Sequence, residues 1–235
     1  MKKATDTAEF SYERWEAAYL RFETPRDEIR KFTRRLKRLG ALAWSHNASV
    51  LELFCGQGSG LRALQSLGFS RICGLDRSET LLQRAGSVVT LVAADARELP
   101  FRDRCKDVVI IQGGLHHLHT LPNDLEITLH EIQRVLKLDG KLIIVEPWLT
   151  PFLSLVHAVC KNRLATGIYP KLKSLADMIE NERPTYEQWL SQPQMILDLL
   201  DKHFITRHCS YAMGKLYFVG QPHTKIIYLS NEDRY

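Results

Sequence analysis

Glu52, Asp76 and Asp95 each belong to a short apolar run: "SVLELF", "RICGLD" and "LVAADA". The first run leads into "CGQGSG", with glycines at 56, 58 and 60. Glycines after a strand let a ligand approach the backbone, and the free N–H groups of a following helix then face that space. The spacing is G-x-G-x-G, whereas dinucleotide loops use G-x-G-x-x-G, and no Gly-Lys-Ser/Thr follows to cradle phosphates. Glu52 beneath the loop would repel a polyphosphate and receive a cationic amino group. Asp76 lies 16 residues after Gly60; a carboxylate there can hold both hydroxyls of a ribose or cap a helix. Asp95 is placed to meet an adenine amino group, or to cap the next segment. A tight strand–helix turn explains the loop alone. Three acids at the ends of three successive strands point to an aminoacyl-nucleoside.

These residues need a scaffold that brings strand ends together. From residue 49 the texture alternates strand and helix. "SVLELF" is followed by the helix "SGLRALQSLG", "RICGLD" by the helix "SETLLQRAG", capped by Ser78 and stopped by Gly86, and "VVTLVAA" is a third strand. A fourth strand, "KDVVIIQ", precedes a long amphipathic helix, "NDLEITLHEIQRVLKLDG", ending at Gly140, and "KLIIVEP" is a fifth. Such alternation predicts βαβ units and a parallel sheet, and strands apolar throughout predict burial on both faces. Residues 8–40 read as two helices broken at "ETPRDE", where Thr24 caps and Pro25 starts the second. Residues 151–203 read as helical, with breaks at Gly167, Pro170, Pro184 and Pro193 and exposed aromatics Tyr169, Tyr186 and Trp189. "FITRHCSY" and "KLYFVGQP" read as an antiparallel pair joined at "AMG".

At 235 residues, 45% of them apolar, the chain is ample for one core. It has neither an apolar run of spanning length nor a signal-peptide h-region, so a cytoplasmic protein is expected. Five cysteines without a Cys-x-x-Cys suggest neither disulfides nor a zinc knot; most are read as reduced and buried. The net charge of +5 concentrates in "RKFTRRLKRLG". That stretch reads as the solvated face of a helix packed through Ile29, Phe32, Leu36 and Leu39, or else as a patch for nucleic acid or an acidic substrate.

The stretches "VLELFCGQGSG" (50–60), "GLDRSETLLQRA" (74–85), "AADARELPFRDRCKDVVIIQGGLHHL" (93–118) and "LHEIQRVLKLDGKLIIVEP" (129–147) together resemble the class I S-adenosylmethionine-dependent methyltransferases. Within these the chain is similar to the small-molecule group that includes quinone-biosynthesis C-methyltransferases. The resemblance implies an α/β, Rossmann-like, doubly wound, seven-stranded and mostly parallel sheet. An antiparallel C-terminal strand pair, N-terminal helices and a helical insert forming a lid complete it. One domain, 1–235, then divides into a helical cap (8–48), a cofactor core (49–147), a lid (148–203), the closing strands (204–221) and a tail (222–235). It also implies S-adenosyl-L-methionine as cofactor. Glu52, Phe54, Cys55, Gly56, Gln57, Gly58 and Gly60 would surround its methionine part, together with Gln112 and Gly113. Asp76 would take the ribose with Arg77 beside it, and Asp95 and Ala96 the adenine. Phe54 and Gln57 depart from the small residues common at their positions, and Phe54 would tighten the pocket.

An activated methyl group asks mainly for an in-line nucleophile, so orientation supplies most of the acceleration. "LHHLH" puts His116, His117 and, further along, His119 near the reactive end. His116 or His117 would serve as a general base, or one of them would only pack the loop. No metal is expected, because adjacent histidines do not easily converge on one ion. Tyr12, Trp15, Tyr19, Trp148, Phe152 and His157 would form an apolar lid over a small hydrophobic or aromatic acceptor, or else pack helices onto the sheet. The expected enzyme is a monomer or homodimer methylating an O, C or N atom, with nucleic acid not its expected partner. The alternatives are an RNA or protein methyltransferase and a non-catalytic cofactor-binding protein; the loop spacing disfavours an NAD-dependent oxidoreductase.

Overall fold

The computed structural model describes residues 18–19, 21–86 and 89–223. Among the described residues, seven strands form one sheet: β1 Val50–Leu53, β2 Ile72–Asp76, β3 Thr90–Ala93, β4 Lys106–Gln112, β5 Leu136–Pro147, β6 Phe204–Ala212 and β7 Lys215–Pro222. Their order is β3-β2-β1-β4-β5-β7-β6. The first five run parallel, and β7 lies antiparallel between β5 and β6. The register aligns the carboxyl ends. Glu52 pairs with Gly74 and Ile110, Asp76 with Ala93, and Gln112 with Val145. All the chemistry-bearing strand ends therefore open onto one rim of the sheet.

Alternate residues of each strand feed opposite cores. Leu51, Leu53, Val109, Ile111, Leu142 and Ile144 pack with Leu125, Leu129 and Ile132 of helix α4 (Asn123–Val135) and with Ile196 and Leu200 of α9 (Pro193–His203). Val50, Val108, Ile110 and Ile143 join Phe32 and Leu36 of α1 (Pro25–Arg38) and Leu61 and Leu64 of α2 (Ser59–Ser66) on the other face. Two covered faces explain why these strands are apolar throughout.

Sequence cues set most helix limits. Thr24 caps α1, its side chain accepting from the Asp27 N–H, and Pro25 begins it. Ser78 caps α3 (Glu79–Ala85) in the same way, and Gly86 ends it. Residues 151–203 form five helices: α5 Pro151–Cys160, α6 Arg163–Ile168, α7 Pro170–Asn181, α8 Arg183–Ser191 and α9. The prolines stand at helix starts, where the missing N–H costs nothing. Gly167 is not a break but lies inside α6.

Three further expectations are corrected, the third being that most cysteines are buried. The helix expected to reach Gly140 stops at Val135, because Leu136 turns extended and pairs with Lys106 to open β5. Tyr186 and Trp189 are buried, at 5% and 0% exposure, while Tyr169 is exposed as expected. The Trp189 Nε1–H donates to the Pro147 carbonyl at 2.8 Å, tying α8 to the end of β5. Of the cysteines, only Cys55 and Cys73 are buried, and all five are free thiols. Among the described residues, no helix is long and apolar enough to cross a membrane.

Candidate active site

A cavity of about 590 Å³ opens over the carboxyl ends of β1, β2 and β4, within the size range of small-molecule sites. The side over these strands is built almost wholly from strand ends and the turns that follow them. The chain leaves β1 through Phe54, which adopts a left-handed φ of 55°, and enters α2 through Gly58 at φ 79°. Phe54 packs its ring against Gly114, where a Cβ would come within 2.4 Å of the ring and its own Cβ. Gly60 serves a different need: a Cβ there would fall 1.8 Å from Glu52 Oε1. Only glycine lets the buried Glu52 carboxylate lie against the first turn of α2.

Glu52 is 3% exposed, and burial pushes its carboxyl up to about 8, with the Gln112 hydrogen bond only partly opposing that. Among the described residues, four buried polar atoms on this side have no hydrogen-bond partner: Glu52 Oε2, Gln57 Nε2, Ser59 Oγ and Gln112 Oε1. All four residues line the cavity. Buried polar groups left open in this way call for a ligand or ordered water to satisfy them. The donor set suits the amino-acid end of S-adenosylmethionine: Glu52 and the Gln112 oxygen could receive an ammonium, Gln57 and Ser59 a carboxylate.

Asp76 accepts from the N–H groups of Gly56 (2.8 Å) and Ser78 (2.9 Å), which fixes its carboxylate at the rim. Burial raises its pKa against those two N–H groups. Asp95 is more engaged than the sequence suggested. Arg97 grips it through Nε (3.0 Å) and Nη2 (2.7 Å) and reaches Asp124 of α4 with Nη1 (2.9 Å). That grip holds Asp95 below the usual carboxylate range. An adenine amino group would share the Asp95 carboxylate with Arg97. Arg77, Cys55, Gly56 and Gly113 also line the cavity. Gly58, Gly60 and Ala96 are not on its wall: Gly58 packs against Ala85, Gly60 under Glu52, and Ala96 in the core.

The opposite side gathers distant segments. Glu146, fully buried at the end of β5, accepts from the N–H groups of Gly114 (2.7 Å) and Leu115 (2.9 Å) with one oxygen. Its other oxygen lies 2.7 Å from His116 Nδ1. Burial alone would lower the His116 pKa, but Glu146 and Glu182 outweigh it and push it up to about 9. Burial and the neighbouring His116 bring His117 down to about 4. Glu182, between α7 and α8, presents Oε2 to both rings, 3.7 Å from His116 Nε2 and 3.6 Å from His117 Nδ1. The two rings lie side by side, their centroids 4.1 Å apart.

Of the aromatics expected to cover an acceptor, Tyr19 and Phe152 line the cavity. Trp148 does not: it is buried between Tyr211, on which it stacks, and Trp189. His157 stands behind the wall, its Nε2 3.1 Å from the Tyr186 hydroxyl, and Tyr186 takes the lining position. Tyr12 and Trp15 lie outside the described residues. The basic helix is split. Arg30, Arg34, Lys37 and Arg38 are exposed, whereas Lys31 and Arg35 line the cavity with Lys215. Burial and the Arg35 charge lower Lys215 to about 8. Sequence reasoning missed Glu146, Glu182, Arg97 and Lys215. Glu146 alone carried a signal, since it ends an apolar strand as Asp76 does.

Residues 51–144 match the family described as "Methyltransferase domain". Among curated proteins, the demethylmenaquinone methyltransferase of Thermobifida fusca is 36% identical over 105 residues, covering 41% of this chain and 42% of that protein. That of Lactiplantibacillus plantarum is 34% identical over 125 residues, covering 48% and 50%. The matched stretches thus span about half the length of these relatives, or less. A Pyrococcus horikoshii protein of solved structure superposes with a TM-score of 0.67 at 21% identity, over 90% of this chain and all of that one. A Burkholderia thailandensis 1,6-didemethyltoxoflavin-N1-methyltransferase, solved with 1,6-didemethyltoxoflavin and S-adenosylhomocysteine, superposes with 0.53 at 18% identity, over 93% of each chain. Strand order, the polar cradle and the matched domain agree. They are those of a class I S-adenosylmethionine-dependent methyltransferase domain over residues 51–144, and the cradle suits S-adenosylmethionine as cofactor.

Proposed function

We propose that the chain transfers a methyl group to an O, C or N atom of a small acceptor with an apolar or aromatic body. The observation that carries this reading is the continuity of one cavity from the unpartnered atoms of Glu52, Gln57, Ser59 and Gln112 to the His116–His117 turn. Bound S-adenosylmethionine supplies the activated methyl group. The chain's own part is to hold the cofactor's polar end at Glu52 and Gln112, the ribose at Asp76, and the acceptor against the histidine turn. Phe22, Phe152, Leu153, Val156, Met178 and Ile179 give the acceptor side an apolar wall that excludes water. Arg35 and Lys215 favour an acceptor with an electron-rich oxygen at one end. The demethylmenaquinone methyltransferases among the relatives make a quinol-type ring the first acceptor to try. A cytoplasmic location, and a monomer or homodimer, belong to the same proposal.

The test is a tritiated-methyl assay with the purified chain, a reduced naphthoquinone and fractionated small-molecule extract. A methylated low-molecular-weight product, lost in Asp76→Ala, is the expected result. Cofactor binding without any product would favour a non-catalytic binding protein. Steeply salt-dependent RNA binding with label in the RNA would favour the macromolecular alternative.

A further inference from the structure

We propose that His116, His117 and Glu182 form a binding site for one divalent first-row transition metal ion at the acceptor end of the cavity. One ligand atom from each of the three residues falls within 4.8 Å of the other two. Glu182 Oε2 is 3.7 Å from His116 Nε2 and 3.6 Å from His117 Nδ1, beyond hydrogen-bond range. Ligand atoms bound at about 2.0–2.2 Å around a tetrahedral ion sit roughly 3.3–3.6 Å apart. Small side-chain rotations would therefore close the set on an ion.

The surroundings carry the second half of the argument. His116 Nδ1 is held 2.7 Å from Glu146 Oε2. The other Glu146 oxygen is pinned by the N–H groups of Gly114 and Leu115. A carboxylate on the far nitrogen of an imidazole is the usual support of a metal-ligating histidine: it sets the tautomer and aims Nε2 at the ion. Charge points the same way. Glu146 and Glu182 are 0% and 5% exposed and meet at one imidazole. A divalent cation would balance both carboxylates. All three ligand residues line the cavity. Two nitrogens and one oxygen on one side of an ion leave its remaining positions open to the cavity, as in catalytic rather than structural sites. Ligands of this type suit zinc, iron or manganese rather than calcium or magnesium. The open positions would accept an oxygen or nitrogen of the acceptor. That role rests on the methyl-transfer reading; metal binding itself does not.

The experiment uses the full, tag-free chain, stripped with chelator and titrated calorimetrically with Zn²⁺ and spectroscopically with Co²⁺. S-adenosylhomocysteine affinity is measured in parallel. One equivalent of Zn²⁺ is expected, with a Co²⁺ absorption spectrum of a low-symmetry nitrogen–oxygen site. Glu182→Gln and His117→Ala should abolish stoichiometric binding. Glu146→Gln should weaken it about 10–100-fold. S-adenosylhomocysteine affinity should hold within a factor of about two in all three, since its cradle comes from β1 to β3 and the end of β4. Absence of a stoichiometric Co²⁺ spectrum in the wild-type chain would overturn the proposal, whatever the variants do. So would Zn²⁺ binding that survives both Glu182→Gln and His117→Ala. A wild-type chain that binds Zn²⁺ but not S-adenosylhomocysteine would instead sink the methyl-transfer reading and leave the metal site standing.

Discussion

The two ends of the cavity are made in different ways. At the nucleoside end, Glu52, Gly56, Asp76, Asp95 and Gln112 stand on or just beyond β1 to β4. Their positions follow from strand register and from turns a few residues long. At the acceptor end, Arg35 comes from α1, His116 from the turn after β4, Glu146 from β5, Glu182 and Tyr186 from the α7–α8 region, and Lys215 from β7. Tertiary packing alone brings these together. The first end is as fixed as the sheet itself. The second can be respecified by changing helices that the sheet does not need, as expected where one fold hosts many chemistries.

The comparison implies that the acceptor end depends on the seating of α8. Trp189, with no exposed surface and its Nε1–H on the Pro147 carbonyl, is that seat. Trp189→Ala is expected to cost about 3–5 kcal/mol of folding stability, read from denaturant unfolding. A loss below about 1 kcal/mol would mean that 151–203 is not integral to the core, and the contrast would need redrawing.

Next in size are two paired losses. Asp76→Ala should weaken cofactor binding by about 1.5–3 kcal/mol through loss of a charged hydrogen-bonding group. Lys215→Met should raise the acceptor KM by a factor equivalent to about 1–2 kcal/mol while leaving cofactor affinity unchanged. Calorimetry with S-adenosylhomocysteine and steady-state kinetics separate the two. If either variant moved both constants equally, the ends would be energetically coupled and the division would fail.

The same division explains what the sequence could tell. Glycine spacing, capping residues and apolar runs are local, so β1 to β4, α1 to α3 and the carboxylates at the strand ends were legible. The α4–β5 boundary was not. "VLKLDG" continues the helical pattern, and only the pairing of Leu136 with Lys106 overrides it. Tyr186 and Trp189 looked exposed because their helix is mostly polar; their partners are Pro147, Trp148, His116 and His157, tens of residues away. Lys31 and Arg35 were hidden in a run of like charge, since helical phase separates the inward pair from the outward four only once a cavity exists on one side. Glu182 had no local mark at all.

The smallest effect is also the most specific to the nucleoside end. Burial holds the Glu52 carboxyl up at about 8, against an ordinary 4.5. Folding therefore takes up a proton between those values. The group's contribution to stability is fully present below pH 4.5 and is lost as pH rises through 8. An ammonium group placed on Glu52 reverses the preference, because it favours the carboxylate. Cofactor binding at pH 7 should then expel close to one proton, and affinity should rise up to about tenfold between pH 7 and 8.5, near 1.4 kcal/mol. Calorimetry in buffers of different ionisation enthalpy counts that proton directly. Glu52→Gln should bind more weakly, release none and lose the pH dependence. A wild-type chain that releases no proton would place the ammonium elsewhere and leave Glu52 as a buried neutral acid beneath the glycine turn.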